Sequence, residues 1–515
     1  MSKESSRLEN TARNISVSFL VQFISMLFGF VSRSVFLKYL SVDLLGVNGL
    51  FSNILSVLSL AELGVGNVML YSLYEPVSNN NGKRIKKLLN FYQKLYLIIA
   101  VAILVLGLVL LPFLPSIVNT DKHYDHLRLY YVLILVNSVM SYFVAHKRAY
   151  LQANQELFII KRGELFANIF RHIVQIIVII TLRNYIVYLI IPIVATLISN
   201  IYISYKANKE LKAYKSVDVE DDSIDTRPII ENIKATFLYK ISVQAINSTD
   251  DITIGFLFGT SVLGYYSNYQ LIIHGVNSVV SNITNSIIPS LGNLNAEKSR
   301  EKSSKAFFTL LLFYHFVAAA TSICLLLLFN DFISIWLNSS FVLNSVAIIL
   351  MVANFYQSMS VSIVWMFRET LGLFIEVKKL ILMRAGLNIA FSLLLGKFFG
   401  INGVIASSII SRTITTYWLE PRILFGELQV PVSKYWRKTI KYIFISLLAC
   451  LVNYLITPFF GKNLISLIIR GLVYVIVTFA VYVLTTFKTP EFKKLKSYSK
   501  NILHRFTSKN KANKE

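Results

Sequence analysis

The sequence predicts an all-α polytopic membrane protein: about 14 transmembrane helices, as two six-helix lobes related by a pseudo-twofold axis, plus a C-terminal helix pair. Three observations lead there. Of 515 residues, 55% are hydrophobic and the mean hydropathy is +0.59, more apolar surface than a soluble core needs, and apolar runs of membrane-spanning length recur from end to end. Lys and Arg collect in alternate loops. The polar pattern of the first spans returns in the second half of the chain.

A net charge of +24 would point to nucleic acid in a soluble protein. Here most of the 51 Lys and Arg fall on one side of the expected topology, which is the positive-inside pattern. It expects both termini in the cytoplasm, an even number of spans and no nucleic-acid partner. The N-terminal residues 1–13 are charged and run into an apolar helix without a small-residue cleavage site, so a retained first span is expected. The basic tail 487–515 is expected to lie against anionic headgroups. Cys324 and Cys450 both fall inside apolar spans, which argues against a disulfide or a metal site.

The first span carries Ser18, Gln22, Ser25, Gly29 and Arg33 at steps of three and four, one narrow face of a helix that is otherwise Phe, Leu, Val, Ile and Met. The second repeats the device with Ser52, Ser56, Ser59, Glu62 and Gly66. An arginine or carboxylate at bilayer depth costs at least about 2.5–3.5 kcal/mol, so a partner, a wet lumen or a protonation event must offset it. Both helices are expected to wall a cavity, the plainer alternative being a structural ion pair.

An N-lobe of helices 1–6 is expected over residues 1–205, with the basic connection at Lys83, Arg84, Lys86 and Lys87 and spans three to six near 91–118, 126–145, 157–182 and 185–205. A cytoplasmic loop, 206–228, follows; its Asp218, Glu220, Asp221, Asp222 and Asp225 are most simply a solvated linker. A C-lobe of helices 7–12 occupies 229–425, and 426–486 adds helices 13 and 14. Neither extra span shows a continuous polar stripe, although Arg470 sits near the outer end of the last, and the pair is expected to be peripheral.

A shift of 218 positions carries Ser18 onto Thr236, Gln22 onto Lys240, Gly29 onto Asn247 and Arg33 onto Asp251. Ser25 lands on Val243, with Gln244 keeping the stripe continuous. Leu45-Gly46 falls on Leu263-Gly264, and Ser52, Ser56 and Ser59 fall on Gln270, His274 and Asn277, but Glu62 meets Val280. Repeats of six helices share orientation, so their polar faces are expected to meet across a central cavity.

The cationic candidates in the spans are Arg33, Arg171, Lys234, Lys240, Arg412 and Arg470; Lys234 and Arg412 can snorkel or pair locally. Arg33 and Lys240 occupy stripe positions and suit a phosphate or pyrophosphate, Arg by its planar fork and Lys by its compact charge. Against this stands neutralisation of Arg33 by Asp250 or Asp251; a pair that opens in one state would be a gate. Glu62, Asp250, Asp251 and His274 are the groups able to load a coupling proton or sodium ion. There is no Gly-rich phosphate loop ending in Gly-Lys-Ser or Gly-Lys-Thr, and no outer loop long enough for a catalytic domain, so neither ATP hydrolysis nor an enzyme is expected.

Leu45-Gly46-Val47-Asn48-Gly49-Leu50-Phe51-Ser52-Asn53, Ala61-Glu62-Leu63-Gly64-Val65-Gly66 and Tyr71-Ser72-Leu73-Tyr74-Glu75-Pro76 resemble the bacterial polysaccharide-unit (Wzx-type) flippases of the multidrug/oligosaccharidyl-lipid/polysaccharide (MOP) exporter superfamily. The likeness continues in Gly264-Tyr265-Tyr266-Ser267-Asn268-Tyr269 and Ile287-Ile288-Pro289-Ser290-Leu291-Gly292-Asn293. The resemblance implies an alternating-access carrier of an undecaprenyl-pyrophosphate-linked oligosaccharide for capsule, exopolysaccharide or wall polymer. It would be set in the bacterial cell membrane, driven by an ion gradient or the membrane potential, without a cofactor. Arg33 and Lys240 look like the family's basic residues in the first and seventh helices. Membrane lipids, and possible polysaccharide-assembly proteins, are the implied partners.

Sugar recognition is expected from the polar stripe, in Gln22, Ser25, Gln244, Asn247, Gln270 and Asn277. The alternatives are a lipid II flippase, whose headgroup chemistry is nearly the same, and a multidrug-type exporter, which favours carboxylates and aromatic walls over paired cations. From other classes come a membrane-embedded glycosyltransferase or polymerase and a non-transporting scaffold.

Overall fold

The structure, a computed structural model, describes residues 3–59, 65–120, 124–214, 227–296, 299–461 and 463–497, with side-chain surroundings from Val21 onward apart from scattered positions. It is 91% helical, and no described residue forms a strand. The elements are α1 (Lys3–Tyr39), α2 (Val42–Leu58), α3 (Val65–Ser78), α4 (Gly82–Val109), α5 (Leu114–Ile117), α6 (Leu127–Met140), α7 (Ala145–Ala153), α8 (Leu157–Leu182) and α9 (Tyr185–Leu211). They continue as α10 (Arg227–Phe258), α11 (Thr260–Ala296), α12 (Arg300–Trp336), α13 (Ser345–Ser360), α14 (Ser362–Thr370) and α15 (Phe374–Phe399). α16 (Ile401–Arg412), α17 (Glu420–Leu428), α18 (Val432–Ile456) and α19 (Leu464–Thr486) complete the series, with a π-helical stretch, Thr413–Leu419, between α16 and α17.

The turns are set by short polar side chains that take the free N–H groups of the next helix. Ser41 accepts from Leu44 N, Asn81 from Arg84 N, Asn184 from Ile186 and Val187 N, Asn344 from Ala347 N and Asn463 from Ser466 N. Between α10 and α11 the chain reverses on Gly259, whose φ of +89° a side chain would strain.

Ten helices among the described residues are long and apolar enough to cross a membrane. The four other expected spans correspond to α2 with α3, α10, α11, and α16 with α17, where polar side chains or a short apolar stretch lower the hydropathy. Outward faces are apolar: Leu97, Ile98, Val101 and Val105 of α4 and Leu472, Ile476 and Leu484 of α19 are more than two-fifths exposed. A soluble protein would bury such residues, and hydrocarbon accommodates them.

The chain divides into two compact units, Met1–Ser267 and Asn268–Glu515. The division falls inside α11, beyond the loop 206–228 at which the sequence sets its lobe boundary. The physical reason is that α10 packs along α2, and the first turns of α11 meet α2 backbone to backbone. In the first unit a secondary core joins the end of α1 to the start of α9, with Phe36 edge-on to Tyr185 and Tyr188.

The second unit has a core around Phe307, Phe367, Phe425 and Tyr435. Its last helix corrects the sequence reading of an extra pair without a polar stripe. Arg470, Tyr474, Thr478, Tyr482 and Thr486, each four residues apart, are all buried. Arg470 Nη2 meets Asp331 Oδ2 at 2.7 Å, Tyr474 pairs with Thr457, Thr478 accepts from Asn453, and Tyr482 bonds Ser446 and the His315 carbonyl. The seam joins α19 to the α18 side through Thr457, Asn453 and Ser446, and to α12 through Asp331 and the His315 carbonyl, the kind of interhelical hydrogen bonding that holds helices together in lipid.

Candidate functional site

α1 sorts its side chains as an amphipathic wall should. Phe23, Leu27 and Val31 are about half exposed on one face, while Gln22, Ser25, Gly29 and Arg33 are partly buried. Ser25 Oγ is buried without a hydrogen-bond partner among the described residues. Ser18 lies where side chains are not described.

Arg33 donates from Nη1 to Ser267 Oγ at 2.9 Å, tying α1 to the start of α11. On the other flank of α1, Ser32 Oγ is 2.7 Å from His172 Nδ1, Phe28 stacks on the same ring, and Arg171 Nη2 is 3.3 Å from His172 Nε2. Tyr188 packs against the same end of α1, edge-on to Phe36. Two guanidiniums thus share one neighbourhood of the first unit. Sequence reasoning counted Arg171 among intramembrane cations but passed it over because it lies on no polar stripe; the adjacent His172 was the available signal.

Below this, α2 and α10 share a polar seam. Asn53 Nδ2 donates to Asp251 Oδ2 at 2.8 Å, and Gln244 Nε2 donates to Ser56 Oγ and Ser248 Oγ, both at 3.0 Å. Asp251 therefore takes Asn53 as its partner, not Arg33. Asp250 is buried beside it, whereas Asn247 is exposed. Gln270, His274 and Asn277 follow on α11 past the division, in the second unit; His274 is exposed and the other two are partly buried. Glu62 lies outside the described residues, and so do the side chains of Lys240 and Lys234.

At the α1–α2 turn sits a carboxylate to which sequence reasoning gave no role. Asp43 is 2% exposed and accepts four hydroxyls: Thr120 at 2.9 Å, Tyr124 at 2.5 Å, Ser261 at 3.0 Å, and Thr260. Burial first, then donation to this carboxylate, pushes the Tyr124 phenol above its ordinary value. Thr260 N also donates to the Asn119 carbonyl at 2.9 Å. The knot draws together the start of α2, Asn119, Thr120 and Tyr124, and the start of α11.

Glycines permit that convergence. A Cβ on Gly46 would fall on the Thr260 carbonyl oxygen, and one on Gly264 on that of Val42. Under the 218-residue shift Gly46 corresponds to Gly264 and Val42 to Thr260, so the contact is reciprocal, as a local twofold relation demands.

No family model and no curated protein matches the chain. Solved structures do match. The lipid II flippase MurJ, in an inward closed conformation, is 15% identical with a TM-score of 0.69, over 92% of this chain and 98% of that one. An inward-facing multidrug-resistance MATE transporter of the MOP superfamily is 14% identical with a TM-score of 0.58, over 81% and 99%. A Vibrio cholerae MATE transporter, VcmN, is 14% identical with a TM-score of 0.57, over 85% and 100%. All three are transporters or flippases and none is an enzyme. At such identities the likeness is one of fold: this is a multi-pass membrane protein with the architecture shared by MurJ and the MATE transporters of the MOP superfamily.

Proposed function

We propose that the chain is a flippase that carries an undecaprenyl-pyrophosphate-linked oligosaccharide across the bacterial cell membrane, both termini cytoplasmic, for capsule, exopolysaccharide or wall-polymer synthesis. The observation that carries the reading is the partly buried Arg33 on the polar face of α1, with Arg171 of α8 held beside His172, which meets the neighbouring Ser32. Guanidiniums out of bulk water hold phosphate oxygens through charge-assisted, often bidentate bonds. A multidrug-type site gains nothing from two such groups. Lys240 supplies a third cation in this reading, and Gln22, Ser25, Gln244 and Asn247, with Gln270 and Asn277, meet the sugar.

Transport proceeds by alternating access through a cationic cavity walled by α1 and α2, the lipid tail remaining in the bilayer. In this reading the Asp43 knot and the close approach of α2 and α11 at Gly46 and Gly264 act as the outer gate, which must open for release. Asp250, Asp251, Glu62 and His274 are the groups assigned to ion coupling or gating, with a proton or sodium ion; no cofactor or metal is required. Other polysaccharide-assembly proteins are the natural partners. A second reading, a lipid II flippase, is favoured by one observation, the higher TM-score with MurJ.

The test is translocation in proteoliposomes of a labelled undecaprenyl-pyrophosphate oligosaccharide and, separately, of lipid II, by wild type, Arg33→Ala, Arg171→Ala and Lys240→Ala at matched insertion. Movement of the oligosaccharide lipid by wild type, lost in the arginine variants, supports the first reading. Movement of lipid II alone supports the second, and transport indifferent to the arginines rejects both.

A further inference from the structure

At the end of the first unit that carries the basic loops lies a cavity of about 180 Å³ that the transport reading does not use. Its polar wall is Lys86, Asn90 and Gln93 of α4, His146 and Lys147 of α7, and Tyr214; Leu89 and Leu211 complete it. The lining itself has no carboxylate; Glu210, next to Leu211, and Glu156 lie beyond it, within charge range of each other and of Tyr150. Glu164 nearby is engaged by Arg148 and Lys161, each at 2.9 Å, and Lys147 Nζ makes a long bond of 3.3 Å to Ser204. His146 is 5% exposed, yet its Nδ1 has no hydrogen-bond partner among the described residues. A buried ring nitrogen in that condition is costly unless something fills the cavity beside it.

The depth of the cavity follows from α4. Lys86, Asn90, Gln93, Leu97 and Val101 run up one helix face at steps of three and four. Leu97 and Val101 are 53% and 52% exposed, as side chains meeting hydrocarbon are. The polar lining therefore begins about a turn beyond the apolar band, at headgroup level.

We infer that this cavity binds the phosphate of an anionic lipid headgroup. Two ammonium groups, an imidazole, two carboxamides and a phenol offer donors from several directions to a group that has acceptors and a negative charge. Basic pockets between spans at that level suit lipid phosphates. A soluble phosphate ester presents the same oxygens without the chains, and the lipid is favoured because the apolar stripe of α4 leads into the site.

The purified full chain in neutral detergent, titrated with phosphatidylglycerol, phosphatidylcholine of the same chains or inorganic phosphate, tests this through its unfolding temperature. Phosphatidylglycerol is expected to raise it saturably by a few degrees and phosphatidylcholine not to. Lys86→Gln/Lys147→Gln should weaken the half-saturating concentration by roughly tenfold, while Lys378→Gln/Lys379→Gln, which alters exposed lysines elsewhere, leaves it unchanged. Should the lining double variant not fold, His146→Gln alone is expected to weaken the response. An equal, lysine-dependent response to millimolar inorganic phosphate would keep the anion site and overturn the lipid as its source. The inference fails if phosphatidylglycerol acts like phosphatidylcholine, or if the lining variants respond like wild type.

Discussion

Asn53 and Asp251 are joined by a hydrogen bond of 2.8 Å from carboxamide to carboxylate, a link between α2 and α10 that involves no cation. Removing the donor leaves the carboxylate without this bond in apolar surroundings. Asn53→Ala is expected to cost about 1–3 kcal/mol, and Asp251→Asn much less, because an amide oxygen still accepts. Thermal unfolding in detergent checks the order, and a double-mutant cycle checks that the two residues are coupled.

The reciprocal approach at Gly46 and Gly264 has no room for a methyl group, and the obstructing atoms are backbone. Gly46→Ala should therefore force α2 away from α11 and expose the Asp43 knot. Gly49→Ala, whose Cβ would meet only Leu263 at 3.9 Å, should not. The readout is labelling of Thr260→Cys, a fully buried position, by a membrane-impermeant maleimide, expected to be roughly tenfold faster in the Gly46→Ala background if the opened state gains about 1.4 kcal/mol.

If Arg33 and Arg171 hold the travelling headgroup, Arg33→Ala and Arg171→Ala should each slow translocation by roughly 10- to 100-fold, the value of a charge-assisted bond. Ser267→Ala removes one acceptor of Arg33 and a bond to the Gly264 carbonyl but no charge, and should retain most of the rate. Initial rates in proteoliposomes distinguish a role in carriage from one in assembly.

Arg470 is 1% exposed and its partner Asp331 is partly exposed. Asp331→Ala strands a buried cation and is expected to destabilise by about 3–5 kcal/mol. Arg470→Met combined with Asp331→Ala should recover much of that, since a buried pair replaced by apolar side chains is often tolerated. Unfolding temperatures of the three variants decide it.

Glu156, in the turn between α7 and α8, has its carboxyl pushed up by burial and then by the charge of Glu210. A raised native pKa means that the native chain holds the proton more tightly than the unfolded chain. The stability it contributes is present below the ordinary carboxylate pKa and is lost as pH rises through the raised value. Glu156→Gln should therefore unfold at a higher temperature than wild type near neutrality, by ~1–2 °C, with the difference vanishing as the medium is acidified.

What the sequence disclosed was whatever repeats locally. The α1 stripe, the Ser and Asn caps and the alternation of basic loops follow from steps of three and four or from single residues. Asp43 was not legible, because its donors come from segments 77 to 218 positions away. The 218-residue shift did place Val42 on Thr260 and Asp43 on Ser261, which marks that neighbourhood in retrospect. The α19 ladder was written plainly at steps of four, yet Tyr and Thr pass as ordinary membrane residues unless buried partners are known. Arg171 was visible only as an isolated cation, its meaning depending on His172. The packing of α10 on α2, which moves the compact division into α11, has no local signature.

The ladder on α19 also bears on how the chain is made. The helix α19 carries an arginine whose bare insertion is opposed by about 2.5–3.5 kcal/mol at bilayer centre, less towards the interface. Its counter-charge, Asp331, lies on α12, synthesised 139 residues earlier. Settling of α19 is thereby made conditional on a properly placed α12, so that its insertion checks work done 139 residues earlier. Chains with α12 misplaced would present an unsatisfied Arg470 to the membrane, a mark by which quality control can recognise them.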